Sequence, residues 1–163
     1  MNYHNITHDD MLNGDGLRVV LWVSGCAHKC KNCQNPETHD PNSGILFDES
    51  AKIEIFNELK KSYISGLTIS GGDPLYTKNR ECLTALVKEV EEKFPNKTIW
   101  MYTGYKYETV KELELLSHID ILIDGPFIDE LKDNSLHWKG SSNQRTIDVK
   151  KSLKYNKVVT VDK

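Results

Sequence analysis

The chain has 163 residues, with 21 Lys or Arg against 24 Asp or Glu, so its formal net charge is −3. This near balance excludes the strongly basic surface of a nucleic-acid binder, and we expect no nucleic acid as a partner. No apolar run approaches the about 20 residues of a membrane span, so we expect no membrane association. The length suggests one domain over 1–163.

The amino-terminal stretch lacks the cationic start and apolar run of a secretory signal, so we expect a cytoplasmic protein. Cysteines stay reduced in that compartment, where structural disulfides are rare. Three of the four cysteines nevertheless lie within eight residues, at Cys26, Cys30 and Cys33. Clustering of this kind in a reducing compartment indicates metal binding.

The hydrophobic pattern predicts alternating strands and helices. A Val- and Leu-rich run predicts a first strand over 17–23, and Asn-Pro and Asp-Pro pairs then predict a loop over 25–44. The next strands are predicted at 67–70, 98–103 and 119–123, and the helices at 48–62, 80–94 and 107–117. The pattern then weakens, with strands at 145–149 and 157–161 and a short helix at 149–155.

Strand followed by helix, repeated three times, predicts an α/β fold with a mainly parallel sheet. The chain is too short for eight such units, which take about 250 residues, so we expect a partial, open (β/α) barrel. Chemistry in such sheets lies at the carboxyl ends of the strands. Glycine-bearing turns follow the predicted strands at Gly25, Gly71-Gly72, Gly104 and Gly125, so that rim is the predicted site.

The cysteines Cys26, Cys30 and Cys33 have the spacing C-x3-C-x2-C on the loop after the first strand. Three thiolates can hold a four-iron cluster and leave one iron without a protein ligand, open to a substrate. The alternative is a zinc site with His28 or His39 as the fourth ligand. Cys82 lies on a predicted helix, where we interpret it as a small buried hydrophobic residue.

Gly71-Gly72-Asp73 follows one predicted strand, and Thr103 ends the next predicted strand on the same rim. Two glycines let the backbone approach a ligand closely, and the Asp73 carboxylate suits an ammonium group. The alternative for both segments is a plain turn after a strand. For the polar segment 138–145 the alternatives are a docking or lid role and a simple surface loop.

Several motifs together resemble the radical S-adenosylmethionine superfamily and, within it, the activases of anaerobic, class III ribonucleotide reductase. They span nearly the whole chain in order and comprise Asn13-Gly14-Asp15-Gly16-Leu17-Arg18, the segment 24–38, Ser70-Gly71-Gly72-Asp73-Pro74-Leu75, Ile99-Trp100-Met101-Tyr102-Thr103-Gly104-Tyr105, Asp124-Gly125-Pro126-Phe127 and Trp138-Lys139-Gly140-Ser141-Ser142-Asn143-Gln144-Arg145. The chain departs from the family pattern at three places. Asp15 stands where Pro is frequent, Asn32 where Gly is common and Gln34 where an aromatic residue is common.

The resemblance implies a barrel of the radical S-adenosylmethionine type and a [4Fe–4S] cluster held by Cys26, Cys30 and Cys33, which are also the catalytic residues. It implies S-adenosylmethionine binding by Asn32, Cys33, Gln34, Gly71, Gly72, Asp73 and Thr103. The implied activity is reductive cleavage of S-adenosylmethionine to a 5′-deoxyadenosyl radical, which generates a glycyl radical on the large subunit of the anaerobic ribonucleoside-triphosphate reductase. A flavodoxin is the implied electron donor. Two alternatives remain, namely another small radical S-adenosylmethionine enzyme and a zinc-stabilised adaptor without catalysis.

Overall fold

The computed structural model describes residues 1–161, which form a seven-stranded sheet flanked by helices. The strands are β1 (Asn2–Asp10), β2 (Leu17–Val23), β3 (Ile45–Leu46), β4 (Ile64–Gly71), β5 (Thr98–Tyr102), β6 (Ile121–Asp124) and β7 (Arg145–Asp148). The α-helices are α1 (Glu49–Leu59), α2 (Arg80–Lys93), α3 (Tyr107–Val110) and α4 (Val149–Tyr155). Single 3₁₀ turns lie at Pro36–Thr38, Thr77–Asn79, Glu114–His118 and Asp129–Leu131. No helix within residues 1–161 is long and apolar enough to cross a membrane.

The strand order is β3-β1-β2-β4-β5-β6-β7, which confirms the α/β class. The central strands β2, β4, β5 and β6 run parallel, but β1, β3 and β7 pair antiparallel with their neighbours. The sheet is therefore mixed, and the expectation of a mainly parallel sheet is corrected. The physical reason is that a short turn joins β1 to β2 and that no crossover helix separates β6 from β7. Within residues 1–161 the edge strands β3 and β7 do not pair, so no closed barrel is present.

The two faces of the sheet differ in polarity because side chains alternate along each strand. One face carries Val19, Leu21 and Ile69, which pack with Leu59 and Leu83 of α1 and α2 in the hydrophobic core. Burying a side chain of this kind stabilises the fold by about 2 kcal/mol. Asp48 caps α1 by accepting a hydrogen bond from the Ala51 N–H at 3.0 Å, which fixes where this covering helix begins.

The opposite face is polar and aromatic. Arg18 is fully buried there, and its guanidinium lies 5.4 Å from the centre of the Trp100 ring. It donates to the Thr68 hydroxyl at 2.8 Å and to the Asp15 carbonyl at 3.0 Å. Burial lowers the pKa of Arg18 to about 10. These bonds hold the turn between β1 and β2 against the sheet.

Three predicted elements differ from the structure. The predicted helix 107–117 breaks into α3 and the 3₁₀ turn Glu114–His118, because Leu113 is extended (φ −69°, ψ 134°) and directs Leu115 and Leu116 into the core. The predicted strand 157–161 is reduced to one bridge between Thr160 and Ile147. Strands β1 and β3, at one side of the sheet, were not predicted, since only Tyr3 and Ile6 of β1 are buried among its polar residues and both residues of β3 are exposed.

Candidate functional site

The carboxyl ends of β2, β4 and β5 meet at one edge of the sheet, where a cavity of about 470 Å³ opens. The loop after β2 contributes the three clustered cysteines to the cavity lining. The end of β4 and the turn that follows it contribute Gly71, Gly72 and Asp73, and the residue after β5 contributes Thr103. Gln34 also lines the cavity. The structure thus brings together, at the predicted rim, all the predicted site residues except Asn32.

The cysteine loop is closed at its base by backbone hydrogen bonds. The Gly25 N–H donates to the Thr38 carbonyl at 2.7 Å, and the Cys26 N–H donates to the His39 carbonyl at 3.1 Å. Within this ring the Cys33 N–H donates to the Cys30 carbonyl at 3.3 Å. Outside the Pro36–Thr38 turn the loop has no regular structure, so these bonds and its contacts with the strands set the positions of the thiols.

The three thiols are half-buried, and their surroundings suit sulfur bound to a metal. Burial is the main cause that raises the pKa of the Cys26 thiol to about 11; Asp73 and the other two cysteines contribute to the rise, and the backbone N–H of His28 opposes it. A bound cation is therefore what would hold this sulfur as a thiolate. The Cys33 sulfur lies 3.4 Å from the Asn35 N–H nitrogen and 3.3 Å from the His39 Nε2. The Asn35 N–H, together with the His39 ring when its Nε2 carries the proton, fits a charged thiolate.

The positions of the possible ligands can be compared with those that a single zinc ion needs. Within residues 1–161, no three side chains of His, Cys, Asp or Glu lie close enough together to hold one metal ion. Three cysteines that line one cavity fit an iron–sulfur cluster, in which each thiolate binds a different iron. Cys82 lies on α2, half-buried, and does not line this cavity.

Asp73 is 1% exposed, and protein groups surround its carboxylate. It accepts hydrogen bonds from the Leu75 N–H at 2.8 Å, the Thr103 hydroxyl at 2.9 Å and the Gly104 N–H at 3.0 Å. The His28 Nε2 lies 2.5 Å from the Asp73 Oδ2, the oxygen that also accepts from the Gly104 N–H. Asp73 therefore joins the cysteine loop to the ends of β4 and β5. Its predicted contact with an ammonium group stays a prediction.

Gly71, the last residue of β4, and Gly72 let neighbouring backbone segments approach each other closely. A Cβ on Gly72 would lie 2.5 Å from the Gly25 carbonyl oxygen and 2.8 Å from the Thr38 carbonyl oxygen. Gly71 has φ +110°, a conformation that glycine adopts readily, and a Cβ there would meet the backbone of Val23 at 2.5 Å. The sequence indicated an approach to a ligand. The structure shows that both glycines also let the base of the cysteine loop pack against β4.

Asn32 does not line the cavity. Its side-chain amide donates to the Asp129 carboxylate at 2.9 Å, and its backbone has φ +56°. Asn tolerates this left-handed conformation better than most residues, which accounts for an Asn where the family often has Gly. The side chain thus ties the cysteine loop to the Asp129–Leu131 turn, and its predicted contact with the cofactor stays a prediction.

The segment 138–145 forms a wall of the cavity, opposite the cysteine loop. The Gln144 side chain accepts from the Gly140 N–H at 2.9 Å and donates to the Gly125 carbonyl at 3.0 Å. The Trp138 ring lies edge-on to Trp100 with centroids 4.7 Å apart, and its carbonyl accepts from the Tyr102 hydroxyl at 2.8 Å. The segment is therefore packed on the polar face of the sheet rather than lying as a simple surface loop.

The sequence makes both His28 and His39 candidate fourth ligands of a zinc site. The structure gives each a contact, His28 with Asp73 and His39 with Cys33. The proximity of both histidines to the cysteines in sequence was a signal. The direction in which each ring points could not be predicted from the sequence, because it depends on contacts that form only in the folded chain.

Residues 12–147 match the family model described as a 4Fe-4S single cluster domain. The anaerobic ribonucleoside-triphosphate reductase-activating protein of Enterobacteria phage T4 is 49% identical over 145 residues, covering 89% of this chain and 92% of that protein. The proteins of the same name from Haemophilus influenzae and Escherichia coli strain K12 are 45% and 41% identical over 148 residues, each covering 88% of this chain and 96% of that protein. The chain therefore belongs to the family of anaerobic ribonucleoside-triphosphate reductase-activating proteins and contains that family's 4Fe-4S single cluster domain.

Proposed function

We propose that this chain is a radical S-adenosylmethionine activase that generates a glycyl radical on an anaerobic ribonucleoside-triphosphate reductase. Cys26, Cys30 and Cys33 hold a [4Fe–4S] cluster, and S-adenosylmethionine binds at the remaining iron. The observation that carries the proposal is that three cysteines, and not Cys82, line the rim cavity. Three thiolates leave the fourth iron open to a substrate. The names of the relatives supply the reductase as the partner.

When bound, the cluster and S-adenosylmethionine supply one-electron cleavage of the sulfonium and a 5′-deoxyadenosyl radical that removes a hydrogen atom from a glycine of the reductase. The protein supplies binding, orientation and exclusion of water. The apolar part of the cavity lining includes Trp22, Phe127 and Trp138. Gly71 and Gly72 present a backbone that a ligand can approach closely. In this proposal the open sheet is the incomplete barrel of the radical S-adenosylmethionine type.

The large subunit of the reductase has to bring a glycine to this cavity, which the proposal places at the open rim. Leu12 lines the cavity and is 80% exposed, and its neighbour Met11 is 72% exposed. Two exposed apolar side chains beside a cavity suit a contact with a protein partner. The electron donor in this proposal is a flavodoxin.

The test is anaerobic reconstitution with iron and sulfide, followed by reduction with dithionite and electron paramagnetic resonance with and without S-adenosylmethionine. We expect a reduced-cluster signal that changes when S-adenosylmethionine is added. Addition of the reductase and S-adenosylmethionine should then give a glycyl-radical doublet. Cys26→Ala should abolish the intact cluster, and Cys82→Ala, the matched control, should retain it. Stoichiometric zinc in a silent sample would contradict the proposal and support the adaptor alternative.

A further inference from the structure

His39 is bonded at both ends of the cysteine loop. Its carbonyl accepts a hydrogen bond from the Cys26 N–H at 3.1 Å, and its ring Nε2 lies 3.3 Å from the Cys33 sulfur. The buried Thr38 immediately before it donates its hydroxyl to the Asn35 carbonyl at 2.6 Å, which fixes the turn that directs the ring back to Cys33. His39 is itself half-buried and lines the rim cavity.

The chemistry of the pair sets the direction of the hydrogen bond. A cysteine sulfur bound to iron is a thiolate and carries no proton. An attractive contact across 3.3 Å therefore requires the His39 ring to donate its Nε2–H to the Cys33 sulfur. The Asn35 N–H, at 3.4 Å, supplies a second donor to the same sulfur. His28 is not equivalent, because its Nε2 is directed at Asp73.

We propose that His39 is a positioning residue that donates a hydrogen bond to the cluster thiolate of Cys33 and raises the reduction potential of the cluster. The inference rests on the proposed function, since it needs the cluster bound at Cys33. Reduction adds negative charge to the cluster and its sulfurs. A donor N–H stabilises the more negative state more strongly, so it favours the reduced cluster.

The first experiment compares reduction midpoints by potentiometric electron paramagnetic resonance under argon. His39→Phe removes the donor, His39→Gln restores an N–H at similar reach, and His118→Phe is the control far from the loop. At a fixed ambient potential we expect the ratio of reduced to oxidised cluster to fall about tenfold in His39→Phe, a midpoint about 59 mV more negative. His39→Gln and the control should stay near the wild type. An unchanged midpoint in a fully loaded His39→Phe protein would overturn the inference.

A second measurement uses only the wild type and His39→Gln, which both keep Cys33. It therefore tests the hydrogen bond from His39 even if His39→Phe binds no iron. The reduced wild type is labelled with ¹⁵N-histidine and examined by pulsed electron paramagnetic resonance. We expect a weak ¹⁵N coupling that disappears in His39→Gln. No histidine coupling in the wild type, or a coupling unchanged in His39→Gln, would overturn the inference. A strong coupling would also overturn it, because His39 would then be an iron ligand.

The two failures are distinguishable. A wild-type protein without a reducible cluster removes the proposed function and the inference together. A wild-type protein whose cluster signal responds to S-adenosylmethionine, combined with an unaltered midpoint in His39→Phe, removes only the inference about His39.

Discussion

Replacing Asp73 by alanine separates two roles for this carboxylate, as a contact for the cofactor or as the link between the cysteine loop and the strands. The substitution leaves the Leu75 N–H, the Thr103 hydroxyl and the Gly104 N–H without their acceptor. It also releases the His28 ring. If the link is the main role, the loss appears as reduced stability even when no cofactor is bound.

The size of the loss follows from which donors water can reach. Leu75 is fully buried, so its N–H stays unsatisfied. Thr103, Gly104 and His28 line the cavity, where water can replace the carboxylate. One unsatisfied buried donor costs about 1–3 kcal/mol, so Asp73→Ala should lower the free energy of unfolding by about 1–3 kcal/mol. This is a measurable part of the about 5–15 kcal/mol that a domain has.

The assay is urea unfolding of the metal-free chain under reducing conditions, followed by tryptophan fluorescence. Glu37→Ala is the control, since it removes an exposed carboxylate from the same loop and should change stability by less than about 0.5 kcal/mol. If Asp73→Ala unfolds like the wild type and loses only affinity for S-adenosylmethionine, the link is not its main role. The originally predicted contact with the ammonium group would then be favoured.

Three further predictions use single contacts. Gly104→Ala places a Cβ 2.5 Å from the His28 ring, so that ring must move. The NMR signal of His28, assigned by its absence in His28→Ala, should therefore shift in Gly104→Ala; an unchanged signal would exclude the contact. Asn32→Ala should be less stable than Asn32→Gly by about 1 kcal/mol in urea unfolding, because φ is +56° there; equal stabilities would contradict the strained conformation. The hydrogen bond from Arg145 lowers the pKa of Glu108 to about 2. Its unfolded pKa is about 4.3, so the stability that this pair adds is present above that pH and is lost as the pH falls toward the folded value. Glu108→Gln should flatten that loss, by less than about 1 kcal/mol because the pair is exposed; an identical acid profile would rule the pair out.

The central part of the fold could be predicted because its strands are continuous apolar runs. The run 17–23 and the helix pattern at 80–94 match β2 and α2 closely. The outer strands could not be predicted in this way. β1 buries only Tyr3 and Ile6 among nine residues, so no alternation is visible, and the pairing of β7 with β6 depends on a long loop. Strands with few buried side chains leave a weak hydrophobic signal.

The location of the site could also be predicted, but the direction of its side chains could not. Carboxyl ends of parallel strands meet at one edge, so Gly71, Thr103 and the cysteines had to be neighbours. Asp73 contacts His28, which is 45 residues away in the chain, and Asn32 contacts a residue 97 positions later. Contacts at such separations depend on how the irregular loops pack, and no local pattern encodes that.

The cysteine loop therefore depends on the sheet for its shape. The Asp73 N–H donates to the Gly25 carbonyl at 2.7 Å, and the Gly72 N–H donates to the Val23 carbonyl at 2.9 Å. These bonds join the turn after β4 to both sides of the point where the loop leaves β2. A loop held in this way keeps its thiols in place before a cluster binds, because the strands supply the rigidity that the loop lacks. The Asp73 carboxylate adds a side-chain contact with the same loop at the His28 ring, so its loss should slow cluster assembly even though no thiol is removed.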